Sequence, residues 1–383
     1  MKVLQTINSM SAAAGGIATC TYDLVSSMQE TSCKVDLVSF VDCESLDSLL
    51  GQGESWLIRI PKRSACDISS WITLQKLLTG SKYELFHTNG LWTYINHETC
   101  QIARRKHLPY LITPHGMLYP EALARSYWKK RIALDVGFKK DIMESSCLHA
   151  TCVQEMEFLR TFGYNGPVAV IPNPANLPKY LDQIIARRNK RNVKIFGFLG
   201  RLHPRKRVEN ILYASSLIKD DSDSFEIDII GSGDLEYESF LRAEVKRLRL
   251  NNVRFRGFLK GQEKYEALAT MTCLFVPSDF ENFGMIITEA LSVETPVVAS
   301  TGTPWKDLNE NQCGWWCGCS SEEIAEIMKL LLNMPDDKIK FMGENGRKLV
   351  IERYSPLTIA GQMRDLYNYI LNGGSKPSFI YSA

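Results

Sequence analysis

Two carboxylates, Glu281 and Glu289, stand with seven residues between them in SDFENFGMIITEALSVETPVVAS, residues 278 to 300. An apolar run at 273–276 precedes Glu281, and another at 296–299 follows Glu289. The pattern reads strand, loop, helix, strand. It puts Glu281 in the loop and Glu289 on the first turns of a helix that starts near Gly284. In an open α/β sheet, ligands bind at the carboxyl ends of the strands. A carboxylate there can accept both hydroxyls of a ribose cis-diol, and two carboxylates can fix a sugar and a ribose together.

Two cations complement them. Arg201 and Lys206 follow the apolar run 194–199 in GFLGRLHPRKR. An arginine fork and a lysine past a strand end suit a diphosphate. Arg205 and Arg207 crowd the same turn, so a solvated basic loop is the plain alternative. Gly15 and Gly16 follow the first strand and open a helix. There a phosphate could approach backbone N–H groups at the positive helix end, or the pair could simply make a tight turn. The string is not GxGxxG, so a nicotinamide cofactor is not expected. Gly231 and Gly233 follow the strand 225–230 and would let a nucleotide lie against the backbone, or form a plain loop. His115 follows the strand 110–113 and could touch a reacting group. Asn89 and Trp92 follow another strand end in the same half, so both loops would line one cleft rim, with Asn89 and Trp92 expected to bind the acceptor.

Metal chemistry finds little support. Asp221-Ser222-Asp223 spells DxD but precedes a strand, away from the ligand-binding edge. Cys313, Cys317 and Cys319 flank two tryptophans and read as small buried residues. No HExxH, EF-hand or Walker A pattern occurs.

Short β-type runs alternate with helical stretches throughout, which requires parallel sheets with crossover helices. The chain has 383 residues, long for one core. Prolines 172, 174 and 178 and a basic run at 187–191 mark a break. The expected division is a first domain over 1–172, a linker over 173–192, a second domain over 193–356, a helix over 357–372 that packs back on the first domain, and a weakly ordered tail over 373–383. Two doubly wound domains would face each other across a cleft.

Composition excludes other classes. Forty-five basic residues oppose 43 acidic ones, a net charge of +2, so nucleic-acid binding is not expected. No apolar run is long enough to span a bilayer, and the amino terminus lacks a signal-peptide pattern. Eleven cysteines without a CxxC pair fit thiols in a reducing cytoplasm. The stretch 125–140, RSYWKKRIALDVGFKK, puts Trp128, Ile132 and Val136 on one helical face among cations. It could rest on an anionic membrane surface or be a solvated helix on a core.

Together these strings resemble the retaining glycosyltransferases of family 4 (group 1), of the bacterial polysaccharide-biosynthesis type. The resemblance covers nearly the whole chain: FENFGMIITEA with PVVAS, GRLxxxK, the glycine pair, PHGML, HTNGLW and IPN. It implies the GT-B fold of two Rossmann-like domains. It implies that Arg201 and Lys206 bind the donor diphosphate, Glu289 the ribose, and Glu281 the donor sugar with the backbone of Phe283, Gly284 and Met285. Gly16 would pack against the phosphates and His115 would face the reacting sugar. It implies no metal, with the nucleotide-sugar as substrate rather than cofactor. Asn173-Pro174-Ala175-Asn176 and Asn282 depart from the family pattern. The activity implied is glycosyl transfer with retention onto a glycan or lipid-linked glycan, in capsule, O-antigen or exopolysaccharide synthesis, at the cytoplasmic face of the inner membrane. The alternatives are a non-hydrolysing sugar-nucleotide epimerase, which shares the architecture, and a non-catalytic partner in a polysaccharide complex.

Overall fold

The computed structural model describes every residue except 12–14, 43–52, 65–66, 81, 189–192, 219–223 and 383. Asp221 and Asp223 and part of the basic run therefore lie outside the described residues. The chain forms two compact units, Met1–Pro174 with Pro356–Ala383, and Ala175–Ser355.

The first unit holds an eight-stranded sheet. Its strands are β1 (Lys2–Ser9), β2 (Lys34–Asp42), β3 (Leu57–Lys62), β4 (Leu85–Asn89), β5 (Tyr110–Thr113), β6 (Cys147–Ala150) and β7 (Val168–Val170), with a short strand from the carboxyl terminus. The second unit holds β8 (Lys194–Leu199), β9 (Phe225–Ile230), β10 (Val253–Gly257), β11 (Cys273–Val276), β12 (Val297–Ser300) and β13 (Gly314–Cys317). The last strand, β14 (Ile380–Tyr381), joins the first sheet. The orders are β14-β7-β6-β5-β4-β1-β2-β3 and β10-β9-β8-β11-β12-β13. All pairings are parallel except β14 on β7. Strands such as β4, β5, β11 and β12 are buried along their whole length. That explains their continuous apolar runs, since helices cover both faces of a parallel sheet. Every β-type run read from the sequence is a strand here, with ends shifted by at most two residues.

Two expectations about the connections need correction. The stretch after Pro174 is not a free linker. Ala175 is fully buried, and Leu181 and Ile184, three apart on the helix Leu181–Ala186, enter the core of the second unit. The prolines shape the entry to that helix rather than exclude packing. Arg188 also does structural work: its guanidinium donates to the carbonyl of Ala269 at 2.5 Å and lies 3.3 Å from that of Glu294. Nor is the tail loose. Ile380 is buried, β14 pairs with β7, and Arg160 donates to the Tyr381 carbonyl at 3.1 Å.

The helix Pro356–Asn372 belongs to the first unit. Ile359, Ala360, Met363, Leu366 and Tyr367 lie in one core with Val3, Ile7 and Leu24. Their spacing is that of one helical face.

Residues 125–140 do not form one helix. Tyr127–Ala133 is α-helical, Leu134–Phe138 is a π-turn, and Lys139–Met143 is α-helical. Gly137 has φ 146°, and a Cβ there would lie 2.6 Å from the His97 ring. Beyond it, buried Asp141 binds His97 at 2.5 Å and Arg104 at 2.7 Å and anchors the segment. The apolar stripe faces outward: Trp128, Ile132 and Val136 are 75%, 61% and 73% exposed. The reading as a helix laid on a core is therefore wrong for this face.

Ile380 tests the docking of the tail. Ile380→Ala is expected to lower unfolding free energy by about 2 kcal/mol in a denaturant titration, from lost burial and the cavity left behind. A change below about 0.5 kcal/mol would show that the tail contributes nothing.

Candidate functional site

In the second unit the candidate residues occupy loops at the carboxyl ends of neighbouring strands β8, β9 and β11. The loop after β8 carries Arg201 and Lys206, and the loop after β11 carries Glu281. The Asp279 amide donates to the Arg205 carbonyl at 2.8 Å and ties the two loops together. Lys206 Nζ then meets Glu281 Oε1 in an ion pair, with both side chains largely buried. The Ser278 hydroxyl donates to the same carboxylate oxygen at 3.0 Å.

The crowded basic turn sorts itself by contact. Arg207 pairs with Asp279 at 2.6 Å and lies 3.6 Å from Glu209. Arg205 lies over the Phe280 ring, 4.8 Å from its centroid. Arg201 is exposed and has no ion pair among the described residues. The turn is thus not uniformly solvated: two of its cations are used internally, one pairs with a candidate catalytic carboxylate, and one is left open.

Glu281 is fixed through its backbone, which donates to the Gly302 carbonyl at 2.9 Å. The next turn is held by an aromatic cluster. Trp305 Nε1 donates to the Phe283 carbonyl at 2.5 Å, and Phe283, Trp305 and Tyr354 pack with centroids 5.1 to 5.8 Å apart. Phe283 is buried, so its side chain serves the core and leaves only its backbone near any ligand. Gly284 then starts the helix Met285–Ser292, whose first turn has neither a side-chain cap nor an acidic residue. Its leading N–H groups, with Met285 first, are suited to an anion. Glu289 lies one turn along and pairs with Lys264 at 2.7 Å. Lys264 escaped the sequence reading because it sits in an ordinary polar helix, Gly261–Ala269, whose place beside Glu289 only packing reveals.

Gly231 and Gly233 have a sufficient structural reason. A Cβ on Gly231 would lie 1.8 Å from the Gly200 carbonyl oxygen, and one on Gly233 would lie 2.2 Å from that of Leu202. The pair lets the loop after β9 run against the Arg201 loop. The Leu202 and Asp234 amides bond across this contact at 3.1 and 2.9 Å. Their glycine character therefore serves at least the support of Arg201.

In the first unit, Gly15 precedes the helix Gly16–Met28, which begins without a side-chain cap or acidic first turn. A cavity of about 180 Å³ opens beside it, lined by Asn8, Ser9, Ala18, Gly90, Leu91 and Met117 among others. His115 is half-buried and has φ 51°, in the left-handed region. The Gly116 amide that follows donates to Glu155 Oε1 at 2.5 Å, while Thr151 donates to Glu155 Oε2 through its amide and hydroxyl at 2.8 and 2.9 Å. Glu155 is buried and sets the His115 turn, a role that nothing in its local sequence signals.

Asn89 also lines the cavity beside Gly16–Met28, and its amide is already engaged within the unit. The side chain is buried, with Nδ2 donating to Gln5 Oε1 at 2.9 Å and Oδ1 lying 3.4 Å from His115 Nε2. It belongs to a chain of polar groups running inward. Gln5 Nε2 reaches the Tyr367 hydroxyl at 2.9 Å, and that hydroxyl lies 2.7 Å from His87 Nδ1. His87 Nε2 is 2.6 Å from Thr113 Oγ1, which is 2.8 Å from His149 Nδ1, and His149 Nε2 is 2.8 Å from the Ile171 carbonyl. Burial pushes His87 well below the ordinary 6.5, His149 down to about 4, and His115 down to about 3, helped by the neighbouring His149 in the cases of His87 and His115. Trp92 is also partly covered. Its ring packs on Phe138 at 5.8 Å, with Lys130 Nζ 5.9 Å above it.

Among the described residues no group of three or more side chains could hold a metal ion. Nine cysteines are described, all free and all buried except half-buried Cys317. Cys313 hydrogen-bonds to the Leu308 carbonyl, apart from the Cys317–Cys319 contact at 3.8 Å.

The buried histidines make stability acid-sensitive. Below pH 6.5 the unfolded chain takes up protons that the folded chain refuses, so stability is complete above 6.5 and declines as pH falls toward the folded values. His87 and His149 are each expected to contribute a slope of about 1.4 kcal/mol per pH unit between pH 6 and 5. Denaturant titrations across that range check it, and a flat profile would show both histidines titrating normally.

Comparison with known proteins accords with this geometry. Residues 15–174 match the family model of the glycosyl transferase 4-like domain, and residues 178–349 that of glycosyl transferases group 1. The chain is 26% identical over 330 residues, 79% of each chain, to the UDP-Gal:alpha-D-GlcNAc-diphosphoundecaprenol alpha-1,3-galactosyltransferase of Escherichia coli. It is 29% identical over 147 residues to the O-antigen chain mannosyltransferase C of Escherichia coli, 36% of this chain and 37% of that one. The fold matches that of Anabaena Alr3699/HepE in complex with UDP and glucose, with TM-score 0.74 and 19% identity over 96% of this chain and 99% of that one.

Proposed function

The chain belongs to the family 4 (group 1) glycosyltransferases, with two Rossmann-like domains of the GT-B fold, and from this premise we propose that it transfers a sugar, with retention, from a nucleoside diphosphate sugar to a hydroxyl of a lipid-linked glycan. The observation that carries this reading is the meeting of Lys206 and Glu281 on adjoining loops, beside open Arg201 and an uncapped helix start. Arg201, Lys206 and the leading N–H groups of Met285–Ser292 hold the diphosphate and stabilise the charge that develops on it as it leaves. Glu289, oriented by Lys264, accepts the ribose hydroxyls. Glu281 accepts from a sugar hydroxyl. The cavity beside Gly16–Met28 receives the acceptor.

Transfer then breaks the bond between the anomeric carbon and the phosphate oxygen. The acceptor oxygen bonds to that carbon on the same face, and its proton passes to the departing phosphate oxygen. No protein nucleophile is invoked, and the chain contributes positioning and charge stabilisation. These cations would supply the positive charge that a divalent ion otherwise brings, which supports transfer without a metal. The Escherichia coli galactosyltransferase and the Anabaena protein support a uridine nucleotide as the donor to test first.

The acceptor class accords with the outward stripe of Trp128, Ile132 and Val136. Exposed Arg125, Lys129, Arg131, Lys139 and Lys140 surround it, with Asp135 the exposed acid within this stretch. Lys130 turns inward to the Ala122 carbonyl. Apolar residues bordered by cations match a bilayer surface with anionic headgroups. No described helix is long and apolar enough to cross a membrane. This stripe would bring the chain to the surface where a lipid-linked acceptor and the machinery of O-antigen or related polysaccharide synthesis lie, on the cytoplasmic side.

Incubation with a panel of nucleotide sugars, with binding read by calorimetry, identifies the donor. With that donor, Arg201→Ala and Lys206→Ala are each expected to lower kcat/KM by about 100-fold or more. Glu289→Ala is expected to weaken donor binding roughly 10- to 100-fold, the loss of hydrogen bonds to a charged group. Wild-type turnover in all three would displace the donor site, and loss of activity on chelation would restore a metal.

Sedimentation with vesicles tests the stripe. Phosphatidylglycerol vesicles are expected to retain the protein at low salt and release it as salt screens the cations. Trp128→Ser with Ile132→Ser is expected to abolish retention. Equal binding to zwitterionic vesicles, or none to either, would refute an anionic membrane surface.

A further inference from the structure

The buried polar chain of the first unit has an inherent direction. Its inner end is a carbonyl, Ile171 O, which can only accept. His149 Nε2 must therefore carry the proton in that 2.8 Å contact. Neutral His149 then offers a lone pair at Nδ1, and the Thr113 hydroxyl donates to it. Thr113 has one proton, now used, so its oxygen accepts from His87 Nε2. His87 Nδ1 is left as a lone pair and takes the Tyr367 proton, and the Tyr367 oxygen accepts from Gln5 Nε2.

The opposite polarity fails at two places. It would set the Thr113 oxygen between two ring lone pairs with one proton to share. It would also leave the Tyr367 hydroxyl proton, wholly buried, with no acceptor. Either defect costs about 1–3 kcal/mol.

The outer end gives the same answer independently. Asn89 Nδ2 faces the Thr6 carbonyl at 3.5 Å as well as Gln5 Oε1 at 2.9 Å, and both are acceptors in this arrangement. Asn89 Oδ1 therefore points toward His115 Nε2, 3.4 Å away. A flipped amide would set oxygen against the Thr6 carbonyl. An amide oxygen can only accept, so His115 Nε2 bears the proton. His115 Nδ1 has no hydrogen-bond partner among the described residues.

We propose that Asn89, Gln5, Tyr367, His87, Thr113 and His149 form a proton-ordered relay that holds His115 as the neutral Nε2–H tautomer, with Nδ1 left as a lone pair that can accept from a ligand hydroxyl. The use of that lone pair in catalysis rests on the glycosyltransferase reading above, whereas the tautomer does not. The six are positioning residues acting through His115. The middle link, Tyr367, comes from the helix Pro356–Asn372, so that helix supplies more than apolar cover. Depression of the three histidines below 6.5 accords with neutral rings throughout.

The test is nitrogen NMR of the full-length protein with only histidine labelled, six rings in all. Ring nitrogen shifts and long-range couplings distinguish the two neutral tautomers from the cation. At pH 7 the expected result is Nε2–H for His115, His87 and His149 alike. A Nδ1–H tautomer, a cation or rapid tautomer averaging at His115 would overturn the relay.

Tyr367→Phe keeps the ring and removes the middle link. It is expected to shift the His87 and His115 ring nitrogens toward averaged values. It is also expected to lower kcat on the order of tenfold with donor KM unchanged, since orientation rather than binding is lost. A merely structural role for Tyr367 would lower thermal stability and leave the His115 shifts in place, refuting the proposal. Thr113→Val, which removes a different link, is expected to reproduce the His87 shift, and its failure to do so would also refute the ordering. Failure of all nucleotide sugars to react would sink the functional reading while leaving the tautomer result standing.

Discussion

A parallel strand covered by helices on both faces offers its side chains no water, and this constraint governs the whole chain. Any polar group on such a strand must find a partner in the interior or incur the cost of desolvation. Where the partner is backbone, the result is ordinary support, as for the buried Ser300 hydroxyl on the Ser278 carbonyl. Where the partners are themselves buried side chains, each fixes the next, and the order runs across β1, β4, β5 and β6. Polar residues on interior strands are therefore informative in proportion to how thoroughly they are satisfied.

The same constraint sends free chemistry to the strand ends. In the second unit the loops after β8, β9 and β11 are held by backbone contacts, so their side chains can be used for something else. That division separates cations that would otherwise look alike. Arg205 and Arg207 finish within the protein, Lys206 finishes on Glu281, and Arg201 remains open. A basic cluster becomes a site only once its members have been sorted by what already occupies them.

The sequence made legible what is local. Short β-type runs of three to six residues marked the strands because burial on both faces removes alternation, and glycine or polar turns bounded them. Glu281 and Glu289 were found because a strand–loop–helix unit fixes the distance between its two ends. What the sequence hid depends on contacts between distant segments. Tyr367 lies 362 residues from Gln5, with nothing around it to set it apart from the apolar residues of its own helical face. Lys264 and Glu155 act through packing partners on other elements. The fate of Trp128, Ile132 and Val136 turned on Gly137, which ends the regular helix, and on Asp141, which anchors the segment at only one end. Periodicity shows that a stripe exists; it does not show which side faces the core. Asn89 shows the same limit, since a strand-end position does not tell whether an amide is already engaged.

The last helix and last strand complete the first unit, and this sets a schedule for synthesis. During translation the first 174 residues emerge long before the segment that contributes Ile359, Met363 and Tyr367 to their interior. Until that segment has been made, the nascent amino-terminal half keeps an apolar face uncovered and its sheet without one edge strand, and contacts so far apart in sequence form slowly. The second unit, continuous from Ala175 to Ser355, has no such dependence and can mature first. The part of the chain made earliest is thus the part that completes its folding last.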